Sequence, residues 1–453
     1  MVGWPGTTNI PEALGSLRSE SRRAGYRVRP VSLSTREREQ FYNGFSNEVV
    51  WPLFHDLQTF CNFQESYFRA YLDVNRKFGR ILLDEHRPDD YVWVHDYHLM
   101  GVGAALAEAG ASVGPGFFLH IPFPPCDVFR KLPWRREVLD SLFDFAQIGF
   151  QTEGDLRNFL HCARRLRPDV TMVADVDHAS LDVNGRRVHA AAFPIGIDAR
   201  AVEVAARSPE VSARIAARDH QTQLLFGIDR LDYTKGIPHK FRGFRRLLEK
   251  HPEMRGRVSL VQVVSPSRET IPRYNDLKDE IETLVGRING ELTEPGWTPI
   301  QYIYRKVDLA QLLAWYQVAD AVVVTSLRDG MNLVAKEYCA ASVESQGALV
   351  LSEFAGVADE VGPHALLVNP YSIDEVATAM HRALVMPPEE RRRRMTAMRT
   401  LVREHDIYWW VDRFLKAASD ESRDLPSRRP PRSRLGRPRR HAQDVVLPLR
   451  TAP

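Results

Sequence analysis

Short apolar runs alternate with helix-period segments along most of the chain. The strand candidates are largely apolar, β-branched runs that end in a polar or Gly/Pro-rich loop: DDYVWVHDYHLM, GPGFFLHIPFP, QLLFGIDRLDYTKGI, RVSLVQVVSPSR, TPIQYIYRKVD, DAVVVTSLRDGMN, GALVLSEFAG and HALLVNPY. Helix-period segments follow several of them, among them MGVGAALAEAG, DLAQLLAWYQVAD and NLVAKEYCAASVES. Strands that alternate with helices predict an α/β protein built on parallel sheets.

Three local signals refine this pattern. Ser372 to Glu375 reads as a capping box that opens the helix DEVATAMHRAL. Asn184-Gly185, between LDV and RRVHA, predicts a tight hairpin turn. The run AVEVAARSPEVSARIAARD predicts one surface helix before a new strand, so we place a break around residues 194–198.

That break divides the chain into two doubly wound, Rossmann-like parallel-sheet domains, over residues 1–198 and 199–400. Two such domains facing each other leave a cleft at the carboxyl ends of their strands, where ligands bind in open α/β sheets. Residues 421–453 are rich in Pro and Arg and lack apolar periodicity. We therefore predict that this tail is disordered.

Composition excludes several protein classes. Hydrophobic residues make up 44% and charged residues 26%, as in ordinary globular proteins. Apolar runs are far shorter than the ~20 residues that span a bilayer, and the amino terminus shows no signal peptide. We therefore expect a cytoplasmic protein with no membrane partner. The four cysteines show no C-x-x-C spacing, which argues against a zinc site and a disulfide framework.

The net charge of +3 is unevenly distributed. The tail holds nine Arg against three acidic residues, so the remaining 420 residues carry a net charge of −3. A nucleic-acid binder would instead carry its positive charge on a folded face. We therefore expect no nucleic-acid partner.

The most informative stretch is a strand-to-helix junction, SLRDGMNLVAKE, over residues 326–337. Gly330 permits a sharp turn, and a helix begins near Asn332, whose first unpaired N–H groups suit an anion such as a diphosphate. Asp329 and Glu337 are good acceptors for sugar or ribose hydroxyls. A plain junction with a polar cap explains the same residues, and these residues alone do not decide between the two.

Two further basic elements follow strand ends. Arg230 and Lys235 are five residues apart beside a glycine and can converge on one pyrophosphate, although a surface salt-bridge pair is the alternative. Arg268, in VSPSR, lies just past another strand, where it could hold a second phosphate.

Polar and aromatic residues complete the candidate site. His95, Asp96 and His98 invite a metal hypothesis, but no third ligand lies nearby, and we expect no metal. Asp96 suits substrate hydroxyls. His120 ends the next strand, although a hydrogen-bonded core histidine is the alternative. The aromatic stretch FYNGFSNEVVWPLFH over residues 41–55 could line a carbohydrate site or fill a core.

Taken together, the motifs resemble glycosyltransferase family 20, the trehalose-6-phosphate synthase family. The resemblance runs from Gly3 to about Leu415 and rests on GWPG, YNGFSNEVVWPLFH, VWVHDYHLM, GFFLHIPFPP, FRKLPWR, IGFQT, RLDYTKGI, SPSRE, LVGRING, SLRDGMNLVAKEY, LSEFAG and LLVNPY. It implies a GT-B fold, with an acceptor-binding first domain, a nucleotide-sugar-binding second domain and a helix over 401–420 that crosses back to the first.

The resemblance also implies an activity. The family transfers glucose from UDP-glucose to C1 of glucose 6-phosphate with retention of configuration, giving α,α-trehalose 6-phosphate and UDP. No metal or cofactor is required, and the leaving phosphate takes the acceptor's proton. Alternatives are a glucosylglycerol-phosphate synthase, another donor such as GDP-glucose, or a catalytically silent regulatory homologue. We also expect a homo-oligomer.

Site residues follow from the matched motifs. The resemblance assigns catalytic roles to Arg230, Lys235, Asp96 and His120. It assigns the donor to Arg230, Lys235, His120, Asp329, Gly330, Asn332, Leu333, Val334, Ala335 and Glu337. It assigns the acceptor to Trp4, Tyr42, Trp51, Asp96 and Arg268, with Tyr42 and Arg268 near the 6-phosphate.

The chain departs from the family at its start. The family's first strand, its Ser-Asn-Arg motif and its Gly-Gly loop are absent before Met-Val-Gly-Trp4. Because that strand normally lies inside the sheet, its loss would expose an apolar face. We therefore raise the hypothesis that the natural product starts further upstream, in which case this chain would have weak or no activity.

Overall fold

Two six-stranded sheets form the framework of the computed structural model, which describes residues 1–7, 15, 19, 21–23, 25–111, 113–217, 222–268 and 270–424. The strands are β1 (Val2–Gly3), β2 (Arg29–Pro30), β3 (Trp93–His95), β4 (Gly116–Phe118), β5 (Gln147–Phe150), β6 (Thr171–Ala174), β7 (His178–Val183), β8 (Arg186–Ala192), β9 (Gln223–Arg230), β10 (Val258–Ser265), β11 (Ile300–Tyr304), β12 (Ala321–Val324), β13 (Ala348–Ser352) and β14 (Leu366–Val368).

Helices cover the faces of both sheets. The α-helices are α1 (Thr35–Glu37), α2 (Trp51–Phe54), α3 (Glu65–Glu85), α4 (Val102–Glu108), α5 (Cys126–Phe129), α6 (Arg135–Leu142), α7 (Glu153–Leu166), α8 (Ala199–Ala206), α9 (Pro209–Ala216), α10 (Ile237–Lys250), α11 (Pro272–Leu292), α12 (Leu309–Val318), α13 (Leu333–Ala341), α14 (Ala358–Val361), α15 (Ile373–Val385), α16 (Pro388–Glu404) and α17 (Ile407–Asp424). A π-helix spans Arg38–Val50, and 3₁₀ turns span Gln58–Phe60, Tyr97–Leu99, Tyr233–Lys235 and Pro252–Met254.

The sheet of the amino-terminal lobe has the strand order β3-β4-β5-β8-β7-β6. Its first four strands are parallel, and β6 and β7 add antiparallel strands at one edge. Asn184 and Gly185 join β7 to β8 with φ values of 56° and 79°, which confirms the predicted hairpin. Strand β3 forms the opposite edge of this sheet, and the side chain of Val94 on β3 is buried. The short strands β1 and β2 pair apart from this sheet.

The sheet of the carboxyl-terminal lobe is parallel throughout, in the order β11-β10-β9-β12-β13-β14. Chain connections leave β9 toward β10 on one side and arrive at β12 on the other, so the topological switch point lies between β9 and β12. The strands predicted from sequence are all present. The fold is therefore the predicted α/β class with two doubly wound lobes.

Helix α17 returns to the amino-terminal lobe. The Trp410 indole N–H donates to the Phe193 carbonyl at 3.1 Å, and Gln147 of β5 donates to the Phe414 carbonyl at 3.1 Å. The Phe414 ring stacks on Trp93 at 4.3 Å. A Cβ placed on Gly149 would lie 2.8 Å from the Phe414 ring, so the helix and the sheet are in close contact there.

Two local predictions are wrong. Ser372 precedes α15 but makes no side-chain cap, and the Glu375 carboxylate accepts the Asn369 backbone N–H at 3.1 Å, so neither half of the predicted capping box forms. The predicted single surface helix is two helices, α8 and α9. Proline cannot continue a helix, and Ser208 caps a new one by accepting the Val211 N–H.

The first residues of the predicted tail are helical. Residues 421–424 continue α17, which corrects the predicted start of disorder at residue 421, and the rest of the predicted tail lies outside the described residues. Among the described helices, none has the length and apolar character needed to cross a membrane.

Candidate active site

The site forms where the carboxyl ends of both sheets face each other. The loops after β9 and β12 flank the switch point of one lobe, and the loops after β3 and β4 belong to the other. A Cβ on Gly330 would lie 2.2 Å from the His120 carbonyl oxygen. Gly330 is therefore required for close approach between the lobes. The predicted sharp turn is instead taken by Asn332, the N-cap of α13, which has a φ of 81°.

A buried carboxylate, Asp232, lies at the centre of the site. Its Oδ1 accepts the Trp51 indole N–H at 3.4 Å, as well as the Thr234 backbone N–H and hydroxyl at 3.0 Å. Burial alone would raise the pKa of Asp232, but the charges of Arg268, Arg230 and Lys235 lower it. Asp232 therefore stays ionised, with the Arg268 guanidinium in direct contact and the charges of Arg230 and Lys235 nearby.

Arg268 joins the two lobes through its guanidinium. Nη1 donates to Asp232 at 3.3 Å and to the Tyr274 hydroxyl at 2.6 Å, and Nη2 donates to the Tyr97 hydroxyl at 3.2 Å. The guanidinium also lies 4.1 Å from the Trp51 ring centroid, in a cation–π contact. Arg268 has a φ of 51°, outside the extended backbone that its position after β10 suggests.

Lys235 is paired with Asp329 across the switch point. Its Nζ donates to Asp329 at 2.7 Å, and the same carboxylate accepts from Ser326 at 3.1 Å and Asn332 at 3.0 Å. Burial would raise the pKa of Asp329, but Lys235 lowers it. By contrast, the Arg230 side chain is exposed, and its guanidinium lies 5.7 Å from the Trp51 ring centroid. The predicted cationic pair therefore lies on the cleft, with Lys235 already neutralised.

The amino terminus of α13 lies beside this pair. Leu333 and Val334 carry the first two helical N–H groups, which a helix cannot pair internally. The Ala335 N–H already donates to the Asn332 side chain at 3.1 Å. An anion at this helix end would therefore accept hydrogen bonds mainly from the backbone N–H groups of Leu333 and Val334.

Glu337 lies one turn further along α13. Its carboxylate accepts the Tyr316 hydroxyl at 3.5 Å. Burial raises the pKa of Glu337 to about 7, although the Tyr316 hydroxyl lowers it. This carboxyl group is therefore about half protonated at neutral pH, and a ligand that donates hydrogen bonds to it would favour its ionised form.

In the amino-terminal lobe, Asp96 and His120 are direct neighbours. The Asp96 carboxylate accepts the His120 backbone N–H at 3.3 Å, and Asp96 has a φ of 73°. The His120 ring shares a hydrogen bond with His95, Nε2 to Nδ1, at 3.1 Å. Burial lowers the pKa of His95 to about 3 and that of His120 to about 4. Both imidazoles are therefore neutral at neutral pH, and each offers a dipole instead of a charge.

An aromatic stack borders the same lobe. The Tyr42 ring lies parallel to His98 at 5.5 Å, and Trp4 contacts Tyr42 edge-on at 4.9 Å. The Tyr97 ring also contacts His98, at 3.9 Å, and its hydroxyl donates to Asn47 at 2.9 Å. Tyr42 lies in the π-helix. The turns of a π-helix are wider than those of an α-helix, which explains why the sequence shows no α-helical periodicity of apolar residues here.

The structure thus brings the predicted residues of both lobes to one cleft. Sequence reasoning missed Asp232, Tyr97 and Tyr274, which complete the Arg268 network. Asp232 could have been found, because it lies between Arg230 and Lys235 in the same motif. Tyr97 could have been found in the same way, because it lies between Asp96 and His98. Tyr274 carried no local signal, since it lies in the first turn of α11, where a tyrosine is commonly a core residue.

A buried lysine supports the segment that links the lobes. Lys336 is completely buried on α13, and its Nζ donates to the Ile195 carbonyl at 2.8 Å and to Glu360 at 2.6 Å. The Ile195 N–H donates in turn to the Gln151 side chain, which follows β5, at 3.1 Å. The linker is therefore bonded to both lobes at one residue, beside the helix whose first turn faces the cleft.

Comparisons with known proteins agree with this arrangement. The model of glycosyltransferase family 20 matches residues 1–420. A bifunctional trehalose-6-phosphate synthase/phosphatase of Thermoproteus tenax is 41% identical over 419 residues; the match covers 91% of this chain but only 56% of that protein.

Two solved structures are similar over most of their length. A UDP-forming α,α-trehalose-phosphate synthase from Burkholderia xenovorans, in complex with glucose-6-phosphate, is 39% identical with a TM-score of 0.82, covering 86% of this chain and 87% of that one. An E. coli structure bound with UDP-2-fluoro glucose is 38% identical with a TM-score of 0.81, covering 86% of each chain.

We predict that Lys336→Met lowers the free energy of unfolding by about 3 kcal/mol, because the mostly buried Glu360 carboxylate would lose the cation that compensates its charge. Urea denaturation measures this. Lys416→Met is the control; it removes an exposed pair with Asp412 and should cost under about 1 kcal/mol. The double variant Lys336→Met/Glu360→Gln should lose less than Lys336→Met alone. Equal losses in the single and double variants would contradict the prediction.

Proposed function

The chain belongs to glycosyltransferase family 20, and on that premise we propose that it transfers glucose from UDP-glucose to glucose 6-phosphate, forming α,α-trehalose 6-phosphate and UDP. Glucosylglycerol phosphate synthesis and a silent regulatory role are not favoured, because the relatives and structural neighbours are trehalose-phosphate synthases. A cytoplasmic location and self-association stay predictions.

One observation carries the proposal: cationic side chains outnumber carboxylates at the switch point of the carboxyl-terminal lobe. Arg230, Lys235 and Arg268 lie around only two carboxylates, Asp232 and Asp329, at the switch point. Such an excess attracts anions. Two anionic substrates, a nucleotide sugar and a sugar phosphate, would each neutralise part of it.

The donor fits the carboxyl-terminal lobe. We assign its diphosphate to Arg230, Lys235 and the N–H groups of Leu333 and Val334. Glu337, one turn along the same helix, would accept the ribose hydroxyls. Asp329, once Lys235 turns to the phosphate, would accept a glucose hydroxyl, with His120 on the opposite side. These positions follow the order of the donor itself, from ribose through phosphates to glucose.

The acceptor fits the amino-terminal lobe and Arg268. Its phosphate would lie between the Arg268 guanidinium and the Tyr42 hydroxyl, with Trp51 and Trp4 as apolar walls. Asp96 would accept the hydroxyls of the sugar ring. Because Arg268 already contacts Tyr97 of the opposite lobe, acceptor binding would strengthen the contact that closes the cleft.

The reaction breaks one bond and forms one on the same face of the donor sugar. The bond from glucose C1 to the β-phosphate oxygen breaks, and the acceptor C1 oxygen bonds to that carbon. The acceptor's hydroxyl proton passes to the departing phosphate oxygen. Asp232 and Asp329 are poor candidates for a nucleophile, because each accepts three or more hydrogen bonds and has a lowered pKa. Arg230 and Lys235 would stabilise the charge that grows on UDP.

Product identification tests the proposal. The chain is incubated with UDP-glucose and glucose 6-phosphate, and mass spectrometry should find a disaccharide phosphate together with one UDP per product. Glycerol 3-phosphate in place of glucose 6-phosphate should give no product. Turnover with glycerol 3-phosphate alone, or UDP-glucose binding without any turnover, would overturn the proposal.

We predict that Arg268→Lys raises the KM for glucose 6-phosphate at least tenfold, about 1.4 kcal/mol, and leaves UDP-glucose affinity within about twofold. Lysine keeps the charge beside Asp232 but lacks the fork that can contact several partners at once. Steady-state kinetics and calorimetry measure the two quantities. Arg273→Lys is the control, since Arg273 is exposed and lies over Phe60 at 3.9 Å. An unchanged KM would contradict the assignment.

We predict that UDP-glucose binds about tenfold more weakly at pH 6 than at pH 8, because the pKa of Glu337 near 7 leaves it mostly protonated at pH 6. Hydroxyl donors favour the ionised form, so affinity rises with pH and levels off above 7. The diphosphate diester of UDP-glucose does not titrate in this range. Calorimetry without acceptor measures the affinity. Glu337→Gln should flatten the pH profile, and Glu344→Gln, an exposed control, should not.

A further inference from the structure

A second cluster of candidate ligands lies in the carboxyl-terminal lobe, away from the cleft. His251 follows the last residue of α10, Glu253 lies in the 3₁₀ turn after it, and His381 lies on α15. Each side chain offers one ligand atom, and the three atoms lie within 4.8 Å of one another. The sequence could not reveal this group, because His381 is far from the other two residues along the chain.

We propose that His251, Glu253 and His381 form a binding site for a borderline divalent transition-metal ion such as Zn²⁺, which would join the end of α10 to α15. Two imidazoles and one carboxylate are typical Zn²⁺ ligands, and a water molecule can complete four-coordination. Hard ions such as Mg²⁺ prefer oxygen ligands throughout and suit this set poorly.

The two imidazole rings are already held face to face. Their centroids are 3.6 Å apart with an interplanar angle of 4°, and His251 Nδ1 lies 3.1 Å from the Glu253 carboxylate. Ligand atoms around one tetrahedral Zn²⁺ are about 3.4 Å apart, given metal–ligand distances near 2.1 Å. The ligand atoms must therefore approach by about 1 Å, and the parallel rings must turn so that one nitrogen lone pair of each points at the same ion. The partly exposed side chains of His251 and Glu253 have room for this movement.

The backbone around the site is well supported. The His251 N–H donates to the Leu247 carbonyl at 2.9 Å, and the Met254 N–H donates to the His251 carbonyl at 3.0 Å, which fixes the turn that carries Glu253. Helices α10 and α15 are in close contact, since a Cβ on Gly243 would lie 2.4 Å from Val376. A preorganised scaffold lowers the cost of binding an ion.

The surrounding charges permit a cation. Glu253 contributes a negative charge to the site itself. The adjacent Lys250 is occupied by Asp374, whose Oδ1 lies 3.6 Å from its Nζ, and by the Thr378 hydroxyl at 3.4 Å. Arg246 also donates to Asp374, at 2.8 Å. The nearby basic groups on both helices therefore have anionic or polar partners of their own.

The site lies near the amino ends of the strands, whereas the cleft lies at their carboxyl ends. Helix α10 starts at the carboxyl end of β9 and runs back antiparallel to it, so its last residue is near the amino ends of the strands. The ion would therefore not contact the residues assigned to the substrates. We expect it to stabilise the donor-binding lobe without altering turnover, and the inference does not depend on the proposed function.

The test uses the untagged full chain and ZnCl₂. Calorimetry should find one Zn²⁺ per chain at this site, and the melting temperature should rise with Zn²⁺ concentration but not with the same concentration of MgCl₂. His381→Ala and His251→Ala should each weaken binding at least tenfold. His178→Ala is the matched control. His178 also pairs with a carboxylate, Asp177 at 2.9 Å, but among the described residues it is not part of a group of three candidate metal ligands.

Spectroscopy covers the case in which a variant does not fold. The electron paramagnetic resonance spectrum of the wild-type chain with one equivalent of Cu²⁺ should show coupling to two imidazole nitrogens. Zinc binding that survives His381→Ala, no binding of Zn²⁺ by the wild-type chain, or coupling to fewer than two imidazoles would each overturn the proposal.

Discussion

The buried Asp232 carboxylate is the group on which the rest of the site depends. It lies directly after the strand at the switch point, and it receives hydrogen bonds from Trp51 of one lobe and Arg268 of the other. A buried charge without partners is costly, so its cations must stay close. Because Asp232 is paired with Arg268 and Asp329 with Lys235, the charge of Arg230 is left for substrates. One carboxylate thus positions the site and leaves it able to bind anions.

The same logic operates at the linker, where the charge is reversed. Lys336 is completely buried, and its ammonium contacts both Glu360 and the backbone carbonyl of Ile195. Helix α13 therefore presents its first turn to the cleft while its second turn holds the segment between the lobes. A donor bound as proposed at the first turn of α13 would therefore lie within about one helical turn of the contact that holds this segment.

Neutral groups form the other half of the site. His95 and His120 have pKa values lowered by burial to about 3 and about 4, so these two side chains of the amino-terminal lobe supply dipoles at neutral pH, whereas the cations of the site belong to the other lobe. This division suits a transfer between two phosphorylated substrates. In the proposed reaction, cationic side chains would hold the phosphates, while neutral His120 and the carboxylates Asp96 and Asp329 would bind the sugar hydroxyls.

The sequence by itself determined the fold class, the strands and the position of most site residues along the chain. Apolar runs followed by polar loops are local, so Arg230, Lys235 and Asp329 could be placed at strand ends without a structure. Only the tertiary structure decided which residues meet. The Lys235–Asp329 pair, the contact of Arg268 with Tyr97, and the approach of Gly330 to His120 each join segments that are far apart in sequence. The same is true of His251 and His381. Such contacts depend on how helices and sheets pack against each other. Periodic patterns in a single sequence report local secondary structure and do not show which distant segments come into contact.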